Sequence, residues 1–455
     1  MHLIKKSKIH IISIGGSIMH DLAINLKINK NQVSGSDDII YDPSKSNLKK
    51  YNLLPKKYGY YKSNISKDLD FVITGMHTNK NNIELSEAKK NKIPIYSYPE
   101  FIRKFSENKH RIVIAGSHGK TTVTSIIMHV LKFNKIKFDY LIGAKVNGFK
   151  SNINLSNNPL IIIEGDEYLT SPLDNKPKFL NYEHHVVLIN GIEWDHFNVF
   201  NSIKKYKKQF IELVELTPKG GEIIYYEKDN NINEILQKYS NKETILKPFN
   251  EEKFKIINNY SIIKDEKGND IKLKIFGRHN MQNIAGAKLV CEQVGINRKK
   301  FYKAIQSYTL PEKRLEIIYD NKIKIFKDFA HSPSKLKSTV NAVKNQYSKN
   351  LLVVYELHSS SSFSTKFLTT YRDTLKNSDT SIIYFSEKII QKRKFKKISQ
   401  IEMRKIFNAD KLFLVNNTAS LEALLKKKIY RNYNKLFMSS GNFDGYKIEK
   451  LNDNK

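Results

Sequence analysis

The chain has one cysteine, Cys291, in 455 residues, so no internal disulfide can form. That cysteine lies in the apolar-periodic run MQNIAGAKLVCEQVGI, which predicts a packed thiol rather than a nucleophile. No apolar run approaches the roughly 18–20 residues of a membrane span. The start, MHLIKKSKIHIISIGG, passes from basic residues straight into a strand-like segment without a cleavage site. A cytoplasmic protein is expected, with no membrane insertion. Acidic residues are scarce: 45 Asp and Glu face 78 Lys and Arg, a formal charge of +33. Such an excess attracts nucleic acid, anionic membranes or negatively charged substrates. The lysines, however, are scattered with asparagine and isoleucine, as in NKIKF and FNEEKFKIINNY, and only QKRKFKK at 391–397 is dense. That run reads as a solvated face, and no nucleic-acid partner is expected. Repeats and long low-complexity linkers are absent too. At roughly 100–200 residues per domain the length predicts two to four domains, and three are expected.

The N-terminal βα unit also lacks something. In KIHIISIGGSIMHDLAINLKINKNQVSGSD, a strand over Ile9 to Ile14 leads through Gly15-Gly16 into a helix with Met19, Leu22, Ala23 and Leu26 inward. A second strand then ends in Gly35-Ser36-Asp37. An acidic residue about 20 positions after the glycines stands where a ribose hydroxyl would lie. Yet G-x-G-x-x-G is missing, and Ser17 and His20 fill places where a pyrophosphate site wants small residues. A dinucleotide is therefore disfavoured, and a mononucleotide-type ligand is expected. Further βα units follow in LDFVITGM, a helix near Glu84 to Lys90, and PIYSY.

What is present is clearest at RIVIAGSHGKTTVTSIIMHVL, Arg111 to Leu131. A short β-branched run joins an amphipathic helix bearing Val123, Ile126, Ile127, Val130 and Leu131 at helical spacing. The join holds Gly116, Ser117, His118, Gly119, Lys120, Thr121 and Thr122. Free N–H groups and the positive dipole end of a helix favour an anion there, glycines admit close approach, and lysine reaches phosphate oxygens. The first glycine of the usual G-x-x-x-x-G-K-[ST] is replaced by Ile114. Two later strands end in polar residues, PLIIIEGDEYLTSP at Glu164 and HHVVLINGIEWDHFNVF at Asn190, followed by Asp195-His196. Ligands of open parallel sheets sit at such carboxyl ends. Thr121 and Glu164 suit a magnesium ion on a nucleotide, because that ion takes hard oxygens and few protein groups. Helix capping is expected for Asp166 or Glu167, and a core position for His184 or His185. IFGRHNMQNIAGAKLV puts Arg278, His279, Asn280 and Asn283 at a helix start, where asparagine can cap or read a base edge. After PEKRLEI come the strand IKIFKDF, the turn Ala330-His331-Ser332-Pro333 and a helix. Alternation with NLLVVYELHSS, SIIYFSE, KLFLV and NKLFMSSGNFDG predicts a second Rossmann-like sheet.

Taken in order, AGSHGKTT, EGDEYL, NGIEWDH, GRHNMQN, PEKRLE and DFAHSP resemble the signature set of the Mur ligases, whose histidine-bearing loop also dispenses with the first glycine. The resemblance implies an α/β chain of three domains: a UDP-sugar-binding Rossmann-like domain at 1–107, a central ATPase domain at 108–310 and a C-terminal Rossmann-like domain for the acceptor at 311–455. It implies an ATP- and Mg2+-dependent ligase that phosphorylates a carboxylate and lets an amine displace the phosphate. Lys120 would act on the β/γ-phosphates, Thr121 and Glu164 would hold a first magnesium, and His196 would bind a second. Asn280 and Asn283 would contact the adenine side, and Arg314, Asp328 and His331 would complete the ATP site. Gly15, Gly16, Ser17, Ser36 and Asp37 would hold UDP. I-G-G-S-x-M and V-S-G-S-D are similar to the members acting on UDP-N-acetylmuramate. MSSGNFDG resembles the M-S-N-G-G-F-G-G of those that attach L-Ala-γ-D-Glu-diaminopimelate rather than free L-alanine. YELHSSSSFS departs from their F-E-P-R-S-N-T and lacks the arginine expected to hold a substrate carboxylate. A monomer or weak homo-oligomer is expected, and His20, His77 and His358 receive no role.

Overall fold

The computed structural model describes residues 6–76, 78–171, 174–194, 199–200, 202–358, 365–388 and 398–452. Their contacts divide into two compact units. One comprises the described parts of Met1–Trp194, Val199–Asn250 and Ala285–Phe301, and the other those of Glu251–Ile284 and Tyr302–Lys455.

The first unit opens with four parallel strands, β1 (Lys8–Ile12), β2 (Gln32–Ser36), β3 (Phe71–Thr74) and β4 (Ile95–Ser97), in the order β2-β1-β3-β4. Helices α1 (Ser17–Ile28), α2 (Ser44–Lys50) and α3 (Ile83–Lys90) lie in the connections between them, and α4 (Tyr98–Phe105) follows β4. Helix α1 buries Met19, Leu22, Ala23 and Leu26 as its spacing predicts. Asn82 caps α3 through the N–H groups of Glu84 and Leu85. Ser97 and Glu100 form a reciprocal capping box on α4.

Seven strands make the second sheet of this unit: β5 (His110–Ala115), β6 (Asp139–Leu141), β7 (Ile153–Asn154), β8 (Leu160–Glu164), β11 (Val186–Ile189), β12 (Glu222–Tyr226) and β13 (Ile245–Phe249). A hairpin of β9 (Leu169–Ser171) and β10 (Asp174–Pro177) intervenes. The order is β13-β12-β11-β5-β8-β6-β7, parallel except for β7. Ile112 to Ala115 of β5 are fully buried, as a continuous apolar run must be when both sheet faces are covered. Strand β5 is followed by α5 (Lys120–Phe133), and its neighbours β8 and β11 diverge to opposite sides. The strand order thus reverses beside β5, the point at which open parallel sheets form a ligand crevice at their carboxyl ends. Helices α6 (Ile203–Glu215) and α7 (Asn230–Tyr239) cover the other half of the sheet.

The two sheets share one apolar core that includes Ile11, Leu22, Leu26, Leu141, Ile153 and Leu155. Polar bonds fasten α1 to the β7 hairpin. The Asn152 N–H donates to Asp21 Oδ2 at 2.8 Å, the Leu155 N–H to Asn25 Oδ1 at 3.3 Å, and Asn29 Nδ2 to the Leu155 carbonyl at 2.8 Å.

His184 takes the core position expected of it, fully buried with Nε2 2.8 Å from Thr217 Oγ1. Burial, and then the charges of His185 and Arg111, push its pKa down to about 3 from 6.5. Between those values the unfolded chain binds a proton that the folded chain refuses, so stability falls as pH drops below the unfolded value. Acidification from pH 7 to 5 is expected to remove about 2 kcal/mol through this residue. Denaturant titrations at both pH values should show that loss, and His184→Gln should lack that part of it. His185 is half-exposed; its Nδ1 accepts the Arg111 N–H and its ring stacks on His110.

The second unit holds three antiparallel strands absent from the sequence-based expectations, β14 (Phe254–Ile257), β15 (Tyr260–Lys264) and β16 (Asp270–Leu273). After α8 (Arg278–Gln293) and α9 (Arg298–Ile305) come β17 (Glu316–Asp320), β18 (Lys324–Asp328), β19 (Leu351–Glu356), β20 (Thr380–Tyr384), β21 (Leu412–Val415) and β22 (Asn434–Met438). They form the expected Rossmann-like sheet in the order β17-β18-β22-β19-β20-β21, parallel except for the edge strand β17. Helix α10 (Pro333–Gln346) follows β18. Cys291 is fully buried, which pushes its thiol pKa up and suits a packed, unreactive side chain. Among the described residues no helix is long and apolar enough to cross a membrane.

Candidate active site

The loop between β5 and α5 is built around two left-handed glycines, Gly116 (φ 123°) and Gly119 (φ 72°). A Cβ on Gly116 would lie 2.9 Å from the Asn190 amide nitrogen, so any side chain there collides with the end of β11. Gly119 stands as N-cap of α5 and brings no side-chain cap, leaving the first N–H groups of the helix to other acceptors. Lys120 Nζ donates to the Gly116 carbonyl at 2.7 Å and to Glu167 Oε2 at 2.6 Å. Burial opposes the ammonium, but Glu167, Asp166 and Glu164 outweigh it and hold the Lys120 pKa above its ordinary value. Lys120 is therefore a cation at neutral pH.

Thr121 Oγ1 donates to Glu164 Oε1 at 2.6 Å, and Glu164 Oε2 accepts the Gly143 N–H at 2.7 Å. A hydroxyl and a carboxylate, both hard oxygen donors, thus meet at the mouth of the loop, which fits a magnesium ion that keeps water or phosphate as its other ligands.

The expectation that Asp166 or Glu167 caps a helix is incorrect. Glu167 is completely buried and pairs with Lys120, and its other oxygen, Oε1, accepts the Tyr206 phenol at 3.2 Å. Asp166 accepts from the Tyr168 N–H at 3.1 Å and from Lys178 Nζ at 2.6 Å. Sequence spacing could not reveal these partners, because they come together only when β8, the β9–β10 hairpin and α6 pack. Ser117 Oγ lies 2.8 Å from the Tyr206 phenol and accepts the Glu193 N–H at 2.9 Å. His118 Nε2 lies 2.8 Å from Glu193 Oε2, and Asn190 Nδ2 donates to the His118 carbonyl at 3.1 Å. Thr122 lies buried in the first turn of α5. Asp195 and His196 lie outside the described residues, as do His77 and the 391–397 run.

At the carboxyl edge of the N-terminal sheet, the Gly15 N–H donates to Asp37 Oδ2 at 2.8 Å, and a Cβ on Gly15 would come within 2.9 Å of that oxygen. Tyr60 donates to Asp37 Oδ1 at 3.3 Å. Burial raises the Asp37 pKa, opposed by the Gly15 bond. Gly16 and Ser17, N-cap and first residue of α1, are exposed. Ser36 is buried and donates to Glu84, a completely buried carboxylate that also accepts the Tyr61 N–H at 3.1 Å and Asn64 Nδ2 at 2.7 Å. His10 Nε2 lies 3.4 Å from the same carboxylate. His20 is structural: Nδ1 lies 3.0 Å from both the Gly16 carbonyl and Ser44 Oγ.

In the second unit Arg314, Asp328 and His331 come together at the carboxyl end of β18. Asp328 accepts the Leu315 N–H at 2.6 Å and the Ala330 N–H at 2.7 Å, so it pins the Arg314 loop to the strand. Burial raises the Asp328 pKa, and the Arg314 charge opposes that rise. The Arg314 guanidinium lies 5.2 Å from the Phe329 ring centroid, and the His331 ring meets Phe329 edge-on at 5.2 Å. Phe329, which sequence reasoning did not single out, is thus the common surface of both. Asn280 and Asn283 are buried in the first turns of α8; Asn280 Nδ2 donates to the Phe276 carbonyl at 2.8 Å and Asn283 Nδ2 to Asn280 Oδ1 at 3.2 Å. His358 lies beside Glu356, Nδ1 to Oε1 3.6 Å, and residues 359–364 lie outside the described residues.

Residues 8–110 match the family model described as Mur ligase family, catalytic domain, and residues 114–291 the Mur ligase middle domain. The UDP-N-acetylmuramate-L-alanine ligase of Dictyoglomus turgidum is 28% identical over 370 residues, 78% of this chain and 77% of that protein. The UDP-N-acetylmuramate-L-alanyl-gamma-D-glutamyl-meso-2,6-diaminoheptandioate ligase of Escherichia coli is 28% identical over 347 residues, 74% of this chain and 76% of that protein. A solved murein peptide ligase of Psychrobacter arcticus shares the fold, with a TM-score of 0.67, 21% identity and 98% of each chain covered. The two family models fall on the sheets that carry the Gly15–Asp37 edge and the Lys120 loop, and the chain belongs to the Mur ligase family of ATP-dependent ligases.

Proposed function

We propose that this chain joins the lactyl carboxylate of UDP-N-acetylmuramate to the amino group of an L-alanine-headed peptide, L-Ala-γ-D-Glu-diaminopimelate, in peptidoglycan synthesis or recycling. The observation that carries the reading is the Lys120, Thr121 and Glu164 constellation at the β5 crevice, set in a chain with the six ordered motifs. A carboxylate is a poor acyl donor because its leaving group is poor. Phosphorylation by ATP gives an acyl phosphate, the amine adds to form a tetrahedral intermediate, and phosphate departs. Lys120 neutralises β/γ-phosphate charge from its place at the α5 N-terminus. Thr121 and Glu164 would hold one magnesium ion and His196 a second, and such ions would supply further charge neutralisation to phosphoryl oxygens. Gly15, Gly16, Ser17, Ser36 and Asp37 hold the UDP moiety. Asn280 and Asn283 serve the adenine side, and Arg314, Asp328 and His331 complete the nucleotide site. The division at 1–107, 108–310 and 311–455 and a cytoplasmic location belong to the same reading.

A second reading, free L-alanine as acceptor, is favoured by the Dictyoglomus relative and by His358 standing where the peptide-ligating pattern has arginine. A phosphate-release assay decides between them, offering each acceptor separately with ATP, magnesium and the UDP-sugar. The tripeptide is expected to give the higher kcat/KM. A clear preference for L-alanine would transfer the chain to the second reading and leave its phosphate chemistry intact.

A further inference from the structure

A directed chain of hydrogen bonds runs beneath the phosphate loop. Glu167 has no exposed surface, and its carboxylate can only accept, so the Tyr206 phenol proton points to Glu167 Oε1, 3.2 Å away. With its proton committed, the phenol oxygen accepts at 2.8 Å from Ser117 Oγ, which itself accepts the Glu193 N–H at 2.9 Å. The far end of the chain is Lys120, held at 2.6 Å by the other oxygen of Glu167. One phenol therefore sits between the Ser117 hydroxyl of the loop and the carboxylate that positions the loop lysine. Its ring is fixed independently by edge contacts to Phe200 and Phe210, each at 5.4 Å.

We propose that Tyr206 is a positioning residue for the nucleotide: by sharing its hydroxyl between Ser117 and Glu167 it divides the Glu167 carboxylate's demand, and so sets how readily Lys120 turns to a phosphate. This rests on the reading of residues 116–122 as the nucleotide phosphate loop. Without the phenol hydroxyl, Ser117 loses its acceptor and Glu167 keeps Lys120 as its principal partner. The ammonium is then held harder by the protein, and nucleotide must compete for it.

The test is Tyr206→Phe, which keeps the packed ring. Affinity for a non-hydrolysable ATP analogue, measured by calorimetry, is expected to fall about tenfold, as befits one hydrogen bond to a charged group. Affinity for UDP-N-acetylmuramate should stay close to that of the parent, while the melting temperature falls by only a few degrees, the cost of one hydrogen bond to the buried carboxylate. Ser117→Ala in the Tyr206→Phe background should cost less than it does alone, because the link to Tyr206 is already gone and only the Glu193 N–H bond remains to be lost. Equal weakening of both ligands, unchanged nucleotide affinity, or additive effects in the double variant would overturn the role of Tyr206 while leaving the phosphate loop in place. A parent chain that binds no nucleotide would remove the loop reading itself, and the Tyr206 proposal with it.

Discussion

Lys120→Ala is expected to lower ATP-dependent phosphate release about 10³-fold or more, since it withdraws a fixed cation from a site where charge neutralisation carries most of phosphoryl transfer. UDP-N-acetylmuramate affinity should change little, because Gly15, Ser36 and Asp37 belong to a different sheet of the same unit. The substitution has a second effect that must be separated from the first. Glu167, with no exposed side-chain surface, loses its cation, and breaking a buried pair from one side costs about 3–5 kcal/mol. Lys120→Ala combined with Glu167→Gln should therefore recover melting temperature without recovering turnover. Restored turnover in the double variant, or parallel loss of UDP-sugar binding in a folded single variant, would contradict the role given to Lys120.

Glu164→Gln is the second large effect. An amide oxygen can still accept the Thr121 hydroxyl or the Gly143 N–H, so the loop should stay folded while the negative charge disappears. The kcat is expected to fall about 10²-fold or more, with half-maximal activity moved to higher magnesium concentration. Titrating magnesium at saturating substrates reads both quantities. An unchanged magnesium curve would mean that Glu164 only supports Thr121 and Gly143 and does not face the metal.

The strand, glycine loop and helix around Lys120 were legible because their pattern is local: two glycines, a lysine and two threonines lie between an apolar strand and an amphipathic helix, and no distant residue is needed to recognise them. The same holds for α1, whose inward residues recur every three or four positions. The roles of Glu167 and Tyr206 were hidden for the opposite reason. Their pairings join residues 39 and 47 positions apart, and a buried carboxylate in EGDEYL has no local mark that separates it from a helix cap. The hub at Glu84 was hidden in the same way, since its partners His10, Ser36, and Tyr61 with Asn64 come from three separate segments. Strands β14 to β16 went unread because each is only four or five residues long and their burial is uneven: β16 alternates as DIKL, β15 carries two adjacent isoleucines, and no residue of β14 is buried.

The bonds from Asp21, Asn25 and Asn29 to the β7 hairpin, laid over a core common to both sheets, bear on how the molecule breathes. An opening that frays α1 must also strip Ile153 and Leu155 from their packing, so the two sheets lose order as one cooperative piece. On the proposed reading, a ligand held at the Gly15–Asp37 edge would make that opening rarer, and would thereby quiet the foundation of the Lys120 loop without touching any nucleotide. The two sites would then be coupled by suppressed fluctuation alone, whichever guest comes first lowering the entropy that the other would otherwise have to surrender.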